Sequence, residues 1–253
     1  MMELLAPVAF LILVLVAVHS WFGLTILRRG IIFTDLAIGQ VAAVGSALSV
    51  AFFHGEHLYL FTLAFALAGA VLITYAVNRL RHIEAFIGLL YVLGASGVML
   101  LLSQSPEGME HFSALLASDI LFTTPQAVLE STLIYAAIGG ALLFILPRLR
   151  GMASELLFFA LLAVTVTSSV QLAGVLVVFV LLIAPALIGL TQRRFPPYAA
   201  ALVYGTLFGT GAITVSYYFD LPTGYTLVFA GALSALAAVL LHPAARAKEG
   251  SDL

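Results

Sequence analysis

The chain has 253 residues, of which 63% are hydrophobic and 9% are charged, and its formal net charge is −2. Since an average soluble domain is about 45–50% apolar and roughly 25% charged, this composition, with a mean hydropathy of +1.17, predicts a polytopic membrane protein. The absence of cysteine excludes disulfides, thiolate metal sites and cysteine nucleophiles. The basic residues are few and lie in small dispersed clusters, so we expect no nucleic-acid partner.

Apolar segments follow one another along most of the chain, and a helix needs about 20 such residues to cross a bilayer. We predict spans at 5–27, 31–53, 57–77, 84–103, 127–147, 155–173, 174–192, 198–218 and 222–242. The stretch 103–126 is too polar at its start to span, and its second half, 112–122, predicts a short half-inserted or interfacial helix. No linker divides the chain, so the expected fold is an all-α membrane helix bundle of eight to nine spans, a single domain over residues 1–253.

The basic residues indicate the orientation of these spans. All ten lysines and arginines fall in five pairs, each after an odd-numbered segment: Arg28/Arg29, Arg79/Arg81, Arg148/Arg150, Arg193/Arg194 and Arg246/Lys248. Cytoplasmic loops carry the excess of basic residues, so these five places are predicted to be cytoplasmic, with the N-terminus outside and the C-terminus inside. The loops 54–57 and 219–225 contain no lysine or arginine and are predicted to be external.

A nucleotide-binding P-loop is not encoded in this chain. That motif needs a lysine followed by serine or threonine, whereas the one lysine, Lys248, is followed by Glu249. Any ATP-dependent step would therefore need an ATPase on a separate subunit, and the chain itself is not expected to be an enzyme.

Three polar side chains lie at neighbouring predicted depths in the first two segments. His19 is nine residues before Arg28, hence about 13 Å from the predicted cytoplasmic end. Asp35 and Gln40 are about 9 and 16 Å deep by the same rise per residue. A charged aspartate at the centre of a membrane helix costs about 2.5–3.5 kcal/mol on insertion scales. Such a residue usually faces a protein interior or a water-filled cavity, so these three side chains are candidates for one site.

Each candidate also has a purely structural interpretation. His19 can be a neutral histidine hydrogen-bonded within the bundle. Asp35 can pair with Arg28 or Arg29, or cap a helix that starts later than predicted. Gln40 can form hydrogen bonds between helices. Ionisable residues inside a membrane nevertheless favour a transport function over a scaffolding one.

A second polar stretch precedes the seventh segment. Its hydroxyl and amide residues, followed by Gly174, predict a tight hairpin or a broken helix, which membranes tolerate where it lines a cavity or is buried in protein. Pro185 is predicted to kink the apolar run that follows. The polar residues are Thr165, Thr167, Ser168, Ser169 and Gln171.

Four stretches resemble, in family order, the permease subunits of ABC-type importers of zinc, manganese and iron(II). They are IIFTDLAIGQVAAVGSALS, LLSQSPEGMEHFSALLASDILFTTPQAVL, QLAGVLVVFVLLIAPALIGL and FDLPTGYTLVF. The resemblance implies a multi-pass permease of the inner (plasma) membrane, homodimeric or pseudo-dimeric and surrounded by membrane lipid. It further implies a cytoplasmic ATPase pair and an external protein that delivers the cation. The divalent metal cation is cargo, and no permanently bound cofactor is expected.

The second helix departs from the family pattern. In the zinc and manganese importers it usually reads Asp-x-x-x-His, which places carboxylate and imidazole on one helix face and suits a borderline metal. Here the corresponding position is Gly39, and Gln40 is rotated about 140° from Asp35. His19 on the adjacent segment is the candidate for the missing imidazole, and the identity of the cation stays open.

The cytoplasmic loop after the fifth segment also departs from the family. Relatives carry a short helix there that docks in the ATPase, whereas this chain has eight residues, Arg148–Glu155. Docking would then rely on that loop together with 78–84 and 191–197, as an electrostatic surface for an acidic partner. Its arginines are Arg148, Arg150, Arg79, Arg81, Arg193 and Arg194. The alternatives are an ATP-independent cation transporter and a non-transporting membrane subunit of the same fold.

Overall fold

The computed structural model describes residues 2–103 and 120–241, without the side chains of residues 2–5 and 122. These two ranges contain no strand and nine α-helices. The helices are α1 (Met2–Arg29), α2 (Thr34–Phe53), α3 (Leu58–Val77), α4 (Ile83–Leu102), α5 (Pro125–Gly140), α6 (Met152–Ala173), α7 (Val175–Thr191), α8 (Pro197–Phe219) and α9 (Thr223–Leu241). Helix α5 continues as a π-helical turn over Ala141–Ile145 and a 3-10 turn over Leu146–Arg148. Another 3-10 turn covers Ile120–Phe122.

The helices coincide with the predicted spans to within about three residues, when α5 is taken through Arg148, and helix ends commonly differ by one or two residues between assignments. Within the described ranges, eight are long and apolar enough to cross a membrane. The shorter one is α7, with 17 residues, which at 1.5 Å per residue is about 25 Å long. The predicted all-α membrane fold of eight to nine spans is confirmed, and the side that each end faces stays a prediction.

Two sequence predictions fall mainly on residues that the structure does not describe. The half-inserted helix predicted over 112–122 overlaps the description at the 3-10 turn Ile120–Phe122 and lies otherwise outside it. The basic pair Arg246/Lys248 also lies outside the described residues.

The predicted break between the sixth and seventh spans is present and is one residue long. Helix α6 ends at Ala173, Gly174 has φ 83° and ψ 157°, and α7 starts at Val175. Glycine suits this position because residues with a side chain rarely adopt a positive φ. Helix α7 continues through Pro185, so the chain's interruption lies at the glycine and not at the proline.

The chain divides into two compact units. The first comprises residues 1–29, 119–132 and 176–253, and the second comprises 30–118 and 133–175. The first therefore holds α1, nearly all of α7, α8 and α9, and the second holds α2, α3, α4 and α6. Each unit is built from segments that are distant in sequence. Whether all 253 residues act as one permease domain stays a prediction.

Small residues set the close helix packing of the first unit. A Cβ atom at Gly205 of α8 would lie 2.5 Å from Val16 Cγ1 of α1, and one at Gly209 would lie 2.6 Å from Ile12 Cγ2. The tyrosine hydroxyl of Tyr198 donates to the carbonyl oxygen of Ala17 at 3.0 Å. The α1–α8 contact thus combines small-residue packing with one polar contact, as is usual for membrane helices.

In the second unit α2 packs against α3, α4 and α6. A Cβ atom at Gly94 of α4 would lie 2.9 Å from both the carbonyl carbon and Cβ of Gln40, so the two helices cross in close contact there. Between α2 and α3 the hydroxyl oxygens of Ser46 and Thr62 are 2.7 Å apart. This packing fixes the start of α2, where the first candidate site residue lies.

Candidate functional site

Asp35 lies in the first turn of α2, which begins one residue earlier at Thr34. Its side chain is 2% exposed, and its Oδ1 atom is buried without a hydrogen-bond partner in the described structure. An unpaired buried carboxylate oxygen is costly, while the positive end of the helix dipole partly offsets the charge. Such an oxygen has the chemistry of a cation ligand.

The capping interpretation of Asp35 is wrong. Phe33 is the N-cap residue of α2, and no side chain caps this helix end. The Thr34 hydroxyl donates to the carbonyl oxygen of Ile31 at 2.7 Å and takes no part in capping. Asp35 is therefore inside the helix and not ahead of it.

Glu84 brings a second carboxylate close to the start of α2, and the sequence analysis missed it as a site candidate. It lies in the first turn of α4, and its Oε1 accepts a hydrogen bond from the backbone N–H of Ile32 at 3.0 Å. Its Oε2 is buried without a partner among the described residues, as is Oδ1 of Asp35 three positions after Ile32. The sequence feature that could have identified Glu84 is its position in the first turn of a helix, which Asp35 shares.

The side chain of His19 is fully buried in α1. Its Nδ1 atom is 2.7 Å from the carbonyl oxygen of Leu15. Because a carbonyl can only accept, Nδ1 carries the proton, and in the neutral ring Nε2 then holds the lone pair. A backbone carbonyl orients metal-binding histidines in the same way. His19 belongs to the first unit and Asp35 to the second, so a site that they share stays a prediction.

Gln40 lies at the crossing of α2 and α4, where its backbone carbonyl carbon and Cβ would contact a side chain at position 94. The contact is made by the backbone and Cβ of Gln40, so the predicted interhelical hydrogen bond of its amide group stays a prediction. Gly39, where the resembled family usually has histidine, faces Val166 and Val175, each 3.8 Å from a Cβ built at the glycine. An aliphatic contact thus occupies the side of α2 that would otherwise carry the imidazole.

The predicted metal ligands are not joined by a ready-made cluster. Within residues 2–103 and 120–241, no three His, Cys, Asp or Glu side chains are grouped so that they could hold a metal ion. The metal-binding roles of Asp35, His19 and Gln40 therefore stay predictions.

The polar stretch of α6 forms a hydroxyl cluster with α5. Ser168 Oγ is 3.1 Å from the hydroxyl of Tyr135, which is itself fully buried. Ser168 and Ser169 both also donate to the carbonyl oxygen of Thr165 one turn earlier. Thr167 Oγ1 is buried without a partner in the described structure. The hydroxyl residues Thr165, Thr167, Ser168 and Ser169 are therefore buried, as the sequence analysis expected, whereas Gln171 is exposed.

The predicted docking arginines are all exposed, but their side chains differ in what they contact. Arg79 Nη1 is 2.5 Å from the hydroxyl of Tyr75, and its guanidinium carbon is 4.2 Å from the centre of that ring. Arg148 donates from its guanidinium to the carbonyl oxygen of Phe144. Both of these side chains are turned back onto their own helix ends.

The loop after the fifth span is as short in the structure as its sequence indicates. Between the 3-10 turn that ends at Arg148 and the start of α6 at Met152 lie three residues, and Gly151 among them has φ 58°. There is no separate helix in this connection.

The loop after α7 has a defined hydrogen-bonded conformation. Gln192 Oε1 accepts from the backbone N–H groups of Arg194 and Phe195, each at 2.9 Å. Gln192 Nε2 donates to the carbonyl oxygens of Phe195 at 2.8 Å and Gly189 at 3.2 Å. We call residues 192–196 the Gln192 turn. It presents Arg193, Arg194 and Phe195 as exposed side chains.

This arrangement of helices is the fold of ABC transporter permeases. PsaBC from Streptococcus pneumoniae, solved in complex with Fab, matches with a TM-score of 0.70 at 18% sequence identity, over 96% of this chain and 93% of that one. An ABC transporter described as metal-chelate type, in an inward-facing conformation, matches with a TM-score of 0.67 at 18% identity, over 92% and 84%. At this level of identity the similarity shows the fold.

Sequence comparison supports the same class for the C-terminal part. Residues 148–242 match the model of the ABC 3 transport family. None of the curated proteins matches this chain. The resemblance to ABC transporter permeases is therefore confirmed at the level of the fold over nearly the whole chain, and residues 148–242 match the pattern of the ABC 3 transport family.

Proposed function

We propose that this chain is the permease subunit of an ABC importer that moves a divalent metal cation, namely zinc, manganese or iron. The observation that carries the proposal is the buried, unpaired carboxylate oxygen of Asp35 at the start of a membrane helix, in a chain with the fold of ABC permeases. Ionisable side chains within membrane helices typically mark the pathways of ions or substrates.

The cation class follows from the donor chemistry. Oxygen from Asp35 and imidazole nitrogen from His19 are ligands for borderline and hard divalent metals, and the chain has no thiolate that would select a soft metal. Gln40 supplies an amide oxygen in the same region of α2. The proposed importer contains two copies of this permease in the inner membrane, a cytoplasmic ATPase and an external protein that delivers the cation.

The direct test is Asp35→Asn, which keeps the side-chain shape and removes the charge. Loss of a charged ligand should lower cation uptake by at least about tenfold, the minimum expected for a residue that supports a metal site. Radioactive zinc and manganese uptake into proteoliposomes that hold the permease with its ATPase measures this. The variant should remain folded and inserted.

Asp220→Asn is the matched control. Asp220 is exposed at the end of α8 with φ 52°, a conformation that asparagine also adopts readily. This variant should transport as the wild type does. Unchanged uptake in Asp35→Asn would contradict a pathway role for Asp35, and loss of folded protein would instead indicate a structural role.

The short connection between Arg148 and Met152 favours a second candidate, an ATP-independent cation transporter of the same fold. In relatives this connection carries the ATPase-docking helix. Uptake that continues in vesicles depleted of ATP, together with the absence of a co-purifying ATPase, would support this second candidate over the importer.

A further inference from the structure

We infer that the ATPase subunit docks on the Gln192 turn. The surface of the ATPase that binds there is acidic and contains an apolar pocket. This inference rests on the proposed function, because it names the partner contact of the same importer. It differs from a general role for the basic loops, since the structure distinguishes one of those loops from the others.

The Gln192 turn is rigidly held at both ends. The side chain of Gln192 bonds to the two backbone N–H groups and one carbonyl of the turn and to Gly189 in the last turn of α7. A Cβ atom at Gly189 would clash with the carbonyl oxygen of Pro197, so the end of α7 and the start of α8 are in close contact. Pro196 and Pro197 further restrict the backbone where α8 begins.

This rigid turn exposes the residue types that dominate protein interfaces. Phe195 is 66% exposed. The side chains of Arg193 and Arg194 have neither an ion pair nor a side-chain hydrogen bond in the described structure. Arginine and aromatic residues carry a large share of interface binding energy. An aromatic side chain beside two uncommitted guanidinium groups fits an acidic surface with an apolar pocket.

The other two basic loops are less suited to this role. Arg79 is held by Tyr75 and Arg148 by the carbonyl oxygen of Phe144, so docking through them would first break these contacts. The connection after Arg148 has no helix to insert into a partner. Coupling needs contacts that change with the state of the partner, and a preorganised turn loses less conformational freedom on binding than a mobile loop does.

The test compares three variants of the full permease in nanodiscs. Arg193→Glu with Arg194→Glu reverses the charge of the Gln192 turn. Gln192→Ala keeps the charges and removes the side-chain hydrogen bonds, and Gln192→Glu keeps the Oε1 acceptor while removing the donor. Arg28→Glu with Arg29→Glu is the matched control, because it makes the same charge change at an exposed, predicted cytoplasmic position outside the predicted docking loops.

Affinity for the purified ATPase subunit and cation-stimulated ATP hydrolysis are the measurements. Charge reversal in the Gln192 turn should weaken ATPase binding by at least about tenfold, as for an interface hot spot. Both Gln192 variants should also weaken binding and uncouple hydrolysis, with Gln192→Glu the milder. The control should change affinity by no more than about threefold, as for exposed charges.

Several outcomes would overturn the inference. One is a control variant that weakens binding as much as charge reversal in the Gln192 turn does. Another is an unaltered affinity in both Gln192 variants. A third is a charge-reversal effect that appears in anionic nanodiscs and vanishes in zwitterionic ones, which would assign the arginines to lipid headgroups. If the wild-type permease transports with ATP and the variants of the turn bind the ATPase normally, this inference alone is rejected. A wild type that binds no ATPase would reject the proposed function as well.

Discussion

At the scale of single residues, two carboxylates of the second unit share an uncommon property. Oδ1 of Asp35 and Oε2 of Glu84 are both buried and without a hydrogen-bond partner in the described structure. Asp35 could be singled out from the sequence because its depth in an apolar segment is visible locally. Glu84 also lies at the start of its helix, but its contact with Ile32 could not be predicted, because that bond joins residues that are 52 positions apart in the chain. Local patterns carry no information about such pairs.

The Glu84 contact predicts different results for two substitutions. Glu84→Gln keeps an oxygen acceptor for the N–H of Ile32, so the free energy of unfolding should change little. Glu84→Ala leaves that partly buried donor unpaired, which should lower the free energy of unfolding by about 1 kcal/mol. Thermal unfolding of the purified permease in detergent measures both. Equal midpoints for the two variants would mean that the Ile32 bond does not contribute to stability.

At the scale of elements, the sequence predicted where helices run better than how they pack. Long apolar segments between basic pairs and polar turns predicted the nine helices of the described ranges, and Gly174 predicted the break between α6 and α7. The crossing of α2 and α4 was not predicted, because many glycines of this chain lie in helices and the sequence does not show which ones contact a neighbour. The loop that contains the Gln192 turn was predicted as a docking loop, but its hydrogen-bonded conformation was not, because a glutamine at a helix end forms no recognisable pattern.

The α2–α4 crossing can be tested at two glycines. Gly94→Ala would place a Cβ atom 2.9 Å from the carbonyl carbon and Cβ of Gln40, so the helices must separate. We expect a loss of about 1–3 kcal/mol in the free energy of unfolding, as for other overpacked positions. Gly39→Ala is the control, since its Cβ would make an ordinary contact at 3.8 Å with Val166. Thermal midpoints in detergent compare the two, and similar midpoints would contradict the described crossing.

At the scale of the whole molecule, the positions of the basic residues follow the order of the helices. If all nine described helices cross the membrane, the crossings alternate in direction, and each arginine or lysine pair of the sequence follows an odd-numbered helix. Helix α7 is needed for this alternation although it is shorter than the others. The charge pattern predicted the order of the apolar segments, whereas the division into two units could not be predicted, because each unit collects segments that are distant in sequence.

Single cysteines can test the orientation in this naturally cysteine-free chain. Glu56→Cys, between α2 and α3, should react with a membrane-impermeant maleimide in intact cells, because that loop is predicted to be external. Arg150→Cys, between α5 and α6, should react only after the cells are opened. Labelling of Arg150→Cys in intact cells would reverse the predicted topology.

The π-helical turn Ala141–Ile145 has a consequence for the evolutionary history of α5. Each i→i+5 bond closes a loop one residue longer than an α-helical bond does, so the turn is what a single inserted residue leaves in an otherwise regular helix. Removing Leu143 should therefore restore a regular helix and give well-folded protein. Removing Leu133 from the regular part of α5 should instead rotate the rest of α5 by about 100° against the helices it packs on and lower the yield. Comparable yields of folded protein from the two deletions would contradict an origin of this turn in an inserted residue.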